Sequence, residues 1–131
     1  MPPIANLAEL LRNLQPKLNA GTFVFATLAA DQDINVGDVV ALVREPEGIS
    51  VVIEESQAAR LGLTPVMRCA WITLTVNSDL HAVGLTAAFS SALGKAGISC
   101  NVVAGTNHDH IFVPVADAHA AMEALQLLQG S

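Results

Sequence analysis

The sequence predicts an α+β fold in which helices cover one face of an antiparallel sheet, and three observations lead to this prediction. Apolar segments with the period of a helix alternate along the chain with short segments rich in β-branched residues. The order of these segments repeats once, so the chain divides into two similar halves. Finally, 52% of the 131 residues are hydrophobic and only 14% are charged, which favours a folded core over disorder.

The first half begins with a predicted helix that has Leu7, Leu11 and Leu14 on one stripe and Asn6 as its N-cap. Pro16 is expected to end this helix. Three strands should follow, and a short helix capped by Ser56 should come after them. The strands are predicted at residues 22–28, 39–43 and 49–53, with a hairpin turn at residues 45–48.

The second half opens with the longest predicted strand, at residues 68–76. Asp79 can cap the next helix, on which Leu85, Phe89 and Leu93 share one face. Two more strands, at residues 98–104 and 111–115, precede a last helix that Asp117 can cap.

When the halves are aligned, the first repeat spans residues 1–66 and the second spans residues 67–131. The first repeat contains an inserted loop at residues 29–38. The order strand, helix, strand, strand, helix, strand is that of ferredoxin-like folds. We therefore predict two small ferredoxin-like subdomains that share an antiparallel sheet. A sheet covered on one face leaves edge strands that tend to be paired, so we expect a homodimer.

Charge and cysteine usage exclude several classes of protein. The formal net charge is -6, which is unfavourable for binding nucleic acids or anionic membranes. The first residues have neither the charged start nor the apolar run of a secretion signal, so we expect a cytoplasmic protein. The two cysteines, Cys69 and Cys100, lie in apolar strand segments and are expected to be buried thiols.

Several segments of the second half carry a recognisable pattern: an apolar strand at residues 72–76, Asp79 to Leu85 after it, Phe89 and Leu93 in the helix, and Gly97 with Ile98 at the next strand. This pattern resembles the ACT domain. Nearly the whole chain is similar to a small bacterial family of tandem ACT-like proteins.

The resemblance implies a non-catalytic sensor that binds a small effector, such as an amino acid, and regulates a separate enzyme chain. It implies no cofactor and no metal. Gly84 matters most in the implied ligand loop, because a glycine lets a ligand approach the backbone at a helix N-terminus. The ligand loop that the resemblance implies consists of Asn77, Ser78, Asp79, Leu80, His81, Ala82, Val83, Gly84 and Leu85. The polar residues Asn101, His108 and Asp109 complete the set of predicted ligand-binding residues.

Some polar residues keep more than one interpretation. His108 and His110 could hold zinc with a third ligand, which would make the protein a small metal-dependent enzyme. Alternatively, Asp109 closes the turn between two strands, or Asp109 and His108 line the effector pocket. Asn101 either points to water or contacts a ligand. A structural assembly module without any ligand is the remaining alternative.

Overall fold

The computed structural model of the protein describes residues 6–76, 81 and 83–129. The helices are α1 (Leu7–Asn13), α2 (Glu55–Arg60), α3 (Leu85–Lys95) and α4 (Ala118–Gln129). The strands are β1 (Pro16–Leu18), β2 (Phe23–Leu28), β3 (Val39–Glu45), β4 (Gly48–Glu54), β5 (Met67–Leu74), β6 (Asn101–Ala104) and β7 (Asp109–Pro114). None of these helices is long and apolar enough to cross a membrane.

Contacts divide the chain into two compact units. One unit consists of residues 21–69, and the other combines residues 6–20 with the described part of residues 70–129. Strand β5 crosses the boundary, because residues 67–69 pair with β2 while residues 72–74 pair with β1.

In the unit of residues 21–69, antiparallel strands lie in the order β3, β4, β2, β5. Alternate residues of β2 and β4, including Val24 and Ile53, pack with Ala58 of α2 in one apolar cluster. The predicted loop between β2 and β3 holds a single 3₁₀ turn at Val36–Asp38. A two-residue turn closes the β3–β4 hairpin as predicted, with Gly48 directly after it.

In the other unit, the strands lie in the order β1, β5, β7, β6, and α1, α3 and α4 pack on one face. Alternate residues of β5 and β7, such as Ile72 and Ile111, meet Leu93 and Leu125 in one core. From β5 onward this unit follows the ferredoxin-like order, and β1 supplies the last strand from the start of the chain. The predicted α+β class with helices on one face is confirmed.

The two compact units differ from the predicted repeats in where they assign residues 6–20 and residues 67–69. Leu10 and Leu14 are fully buried in the core that contains Phe89 and Leu125, so α1 belongs with α3 and α4. The helix also ends at Asn13, because a proline disfavours helical backbone in the residue before it. Leu18, which has helical spacing in the sequence, therefore lies in β1 and pairs with Ile72.

Helix starts were predicted with mixed success. The N-cap at Asn6 is confirmed, since its side-chain oxygen accepts a hydrogen bond from the Glu9 amide at 3.1 Å. The prediction of Ser56 as the N-cap of the next helix is wrong, because the N-cap of α2 is Glu54. The Ser56 hydroxyl donates a hydrogen bond to the Glu54 carboxylate at 3.3 Å. Asp117 ends a 3₁₀ turn that runs directly into α4.

Candidate functional site

The predicted ligand loop connects β5 to α3. Gly84 precedes α3 with φ +101°, a left-handed conformation that favours glycine. The first amides of a helix have no partner within the helix, so those of α3 are suited to bind an anion. His81 and Val83 are exposed and Leu85 is buried. The other predicted loop residues lie outside the described residues: Asn77, Ser78, Asp79, Leu80 and Ala82.

The turn between β6 and β7 lies beside the start of this loop. Its backbone is closed by a hydrogen bond that the Gly105 amide donates to the His108 carbonyl at 2.9 Å. The Nδ1 atom of His108 lies 3.5 Å from the carbonyl oxygen of Val76, the last described residue before the loop. This contact lies at Val76, so whether His108 and Asp109 line an effector pocket with the loop stays a prediction.

Asp109 begins β7 and pairs with Ala104 of β6, so it is a strand residue. The turn before it is closed by the backbone hydrogen bond from Gly105 to His108, and a role of the Asp109 carboxylate in the turn stays a prediction. The side chain is half-buried, and burial raises the pKa of the Asp109 carboxyl above its ordinary value. His110 and His108 act in the opposite direction, which is expected for imidazoles close to a carboxylate.

Asn101 lies at the other end of the β6–β7 hairpin, opposite Phe112. Ala104 lies three positions further along the extended strand, a distance of about 10 Å. The side chain of Asn101 is exposed, which agrees with the predicted alternative that it points to water. The structure thus brings His108 to Val76, which precedes the loop, places Asp109 next to His108 at the start of β7, and leaves Asn101 at the other end of the hairpin.

A hydrogen-bonded network on the sheet face opposite the helices was not predicted. The indole N–H of Trp71 donates to Nδ1 of His110 at 3.0 Å, and the Thr73 hydroxyl lies 3.2 Å from the same nitrogen. The Asn19 side-chain amide donates to Thr73 Oγ1 at 2.9 Å and to the Trp71 carbonyl at 3.2 Å. The sequence did carry one signal for this network, the alternation of Trp71, Ile72 and Thr73. In a strand, this alternation places Trp71 and Thr73 together on the face opposite the buried Ile72.

The interpretations that need a metal or a reactive thiol find little support in this arrangement. Among residues 6–76, 81 and 83–129, no three His, Cys, Asp or Glu residues are grouped to hold a metal ion. Cys69 is buried, its thiol donates to the Phe23 carbonyl at 3.3 Å, and burial raises its pKa to about 11. A thiol of this kind is a weak nucleophile at neutral pH.

Solved structures share the fold over most of the chain. A Vibrio cholerae protein of unknown function, described as a possible transport protein, is 41% identical with a TM-score of 0.80, covering 94% of this chain and 95% of its own. The regulatory subunit of aspartate kinase from Thermus thermophilus, in its ligand-free form, is 13% identical with a TM-score of 0.61, covering 86% and 95%.

Aspartokinase III from E. coli, in complex with aspartate and ADP, is 12% identical with a TM-score of 0.60, covering 90% of this chain and 33% of its own. At identities of 12% and 13%, the likeness to this kinase and to the regulatory subunit shows the fold alone. No curated protein is significantly similar to the chain in sequence.

Sequence profiles of known families match both halves of the chain. Residues 2–70 match one profile described as an ACT domain, and residues 66–126 match another with the same description. These matches confirm the family that the pattern around Gly84 indicated. The chain belongs to the ACT-domain family and carries two ACT domains in tandem.

Proposed function

We propose that the protein is a non-catalytic regulatory sensor that binds a small effector, an amino acid, where the ligand loop and the β6–β7 turn approach each other. The observation that carries this proposal is the tandem pair of ACT domains, together with the contact of the β6–β7 turn with Val76, between β5 and the ligand loop. The regulatory subunit of aspartate kinase has the same fold, which supports a regulatory role for this protein.

The chemistry of the described residues fits the two charged ends of an amino acid. A carboxylate would accept hydrogen bonds from the first amides of α3, where Gly84 presents no side chain. An ammonium group would be attracted to the half-buried carboxylate of Asp109. Neutralisation by such a cation would relieve the unfavourable burial of that charge.

The assembly follows from the proposed role. We place the protein in the cytoplasm as a homodimer that regulates a separate enzyme chain. Strand β3 ends the strand order in the unit of residues 21–69 and β6 ends that of the other unit, and sheet edges of this kind favour association. Exposed Leu42 and Val43 on β3 support this view, since apolar side chains on an edge are otherwise unfavourable.

A thermal-shift screen with the twenty amino acids tests the effector. A ligand at 100 times its Kd stabilises the folded state by about 2.7 kcal/mol, which raises Tm by several degrees. We expect one amino acid, or a small chemically related group, to do so. A screen without any shift, repeated at millimolar concentrations, would contradict an amino-acid effector.

Light scattering in the same samples tests the assembly. A dimer mass at micromolar concentration, with or without the effector, agrees with the proposal. A monomer under both conditions would contradict the proposed homodimer and leave the effector result unaffected.

A further inference from the structure

The hydrogen bond between Trp71 and His110 fixes the protonation of the imidazole. An indole N–H is only a donor, so Nδ1 of His110 must accept with its lone pair at the observed 3.0 Å. The ring is therefore neutral and carries its proton on Nε2. Thr73 Oγ1, 3.2 Å from Nδ1, accepts a hydrogen bond from the side-chain amide of Asn19, which follows β1, so the acceptor nitrogen lies within a network of side chains from β5, β7 and Asn19.

His110 also supports the β6–β7 turn. A Cβ atom on Gly105 would lie 3.3 Å from His110 Nε2 and 2.9 Å from the His108 carbonyl oxygen, so the turn backbone packs closely on the ring. The Gly105 amide closes the turn by donating to that same carbonyl. Through His108, the turn reaches the carbonyl of Val76 at the start of the ligand loop.

We propose that the Trp71–His110 hydrogen bond is a pH-sensitive latch that holds the β6–β7 turn against the start of the ligand loop. An imidazolium carries N–H groups on both nitrogens, so protonated His110 would present a donor to the Trp71 donor. The bond would then be lost, and the ring would move away from Trp71 and from the Gly105 backbone. The latch itself rests on these contacts, and only its link to effector binding rests on the proposed function.

The neighbouring groups determine the pH at which the latch opens. The pKa of His110 is lowered below 6.5, mainly because the ring is partly buried. A positive charge on His108 lowers this pKa further, whereas the negative charge of Asp109 raises it. Lys17 lies opposite Thr73 in the β1–β5 register and is exposed to solvent. Residues 70–74 of β5 and 101–104 of β6 carry no charged side chain.

Trp71 allows a direct test, because the chain has one tryptophan and no tyrosine. Its fluorescence, titrated from pH 8 to pH 4 without any effector, should change with a midpoint below 6.5 while far-UV CD stays native. His110→Gln keeps an acceptor for the indole but cannot titrate, so it should abolish the change. His119→Gln is the matched control, because His119 lies on α4 with a 91% exposed side chain.

NMR gives an independent readout of the same latch. At neutral pH the His110 ring should show the Nε2–H tautomer, and the Gly105 amide should shift with the fluorescence midpoint. An Nδ1–H tautomer, or the same fluorescence change in His110→Gln, would overturn the latch. No change in the wild type between pH 8 and pH 4 would overturn it as well, and would leave the proposed effector untouched because none is present.

Discussion

Leu7 of α1 packs against Gly84, the residue that precedes α3. A Cβ atom on Gly84 would lie 3.0 Å from Cδ2 of Leu7, and the backbone there has φ +101°. The glycine at the start of the ligand-loop helix is thus constrained both by its own conformation and by the N-terminal helix. Any side chain at position 84 is expected to disturb the fold as well as a ligand.

Three glycine-to-alanine substitutions separate these effects. Gly84→Ala should lower the free energy of unfolding by about 1–2 kcal/mol because of its left-handed backbone, and somewhat more because Leu7 must shift. Gly62→Ala, with φ +71° and open space around it, should show the backbone effect alone. Gly94→Ala in α3, also in open space, should stabilise by about 0.5–1 kcal/mol. Urea denaturation measures all three, and a Gly84→Ala variant as stable as wild type would contradict the described backbone.

Hydrogen exchange can test the assignment of α1 to the unit of residues 70–129. Leu10 is fully buried among core residues of that unit, so Leu10→Ala should destabilise by about 2–5 kcal/mol. Amides of α3 and α4 should then exchange faster. Ile53→Ala, in the other core, should accelerate exchange in β2 and β4 instead. Faster exchange of β2 and β4 in Leu10→Ala would favour the sequential division into residues 1–66 and 67–131.

The sequence predicted the type of most elements because their apolar periodicity is local. It missed β1, since three residues are too few to show alternation and Pro16–Leu18 is a strand only through its pairing with residues 72–74. The placement of α1 depends on the same pairing. Information of this kind lies in a partner more than fifty residues away and leaves no local signal.

The candidate site was predictable to a similar extent. The loop around Gly84 was found through its likeness to a known family, and the turn at His108 and Asp109 through its polar composition. The contact between Trp71 and His110 joins residues 39 positions apart, so it requires the arrangement of β5 and β7 in the sheet. Spacing in the sequence suggested a metal for His110, whereas its Nδ1 atom accepts the indole N–H.

The two cysteines should differ in reactivity in the native protein. Cys69 is buried with a pKa of about 11, so only about one molecule in a thousand carries the thiolate at pH 8. Cys100 is only partly buried, although burial also raises its pKa. A thiol reagent that absorbs on reaction should therefore modify Cys100 slowly in the native state and Cys69 only after unfolding. In Cys100→Ser, a native-state reaction of one thiol per chain would contradict the described burial of Cys69.

Asp109→Asn distinguishes a ligand-binding carboxylate from a structural one. Burial raises the pKa of Asp109, so its charged form is less favourable in the folded than in the unfolded chain, and this charge lowers stability above the unfolded pKa. Removal of the charge should therefore leave the free energy of unfolding at pH 7 unchanged or slightly higher. If the carboxylate binds an ammonium group, the same variant should lose about 1.5–3 kcal/mol of effector binding, roughly a 10- to 100-fold higher Kd.

Calorimetry with the amino acid found by thermal shift, together with urea denaturation, measures both quantities for this variant. Asp33→Asn is the matched control, since Asp33 is exposed in the loop at residues 29–38 and the same change in charge there should alter neither value. A large loss of stability in Asp109→Asn with normal effector binding would show that the carboxylate supports the hairpin. The effector's amino group would then have to be bound by another residue.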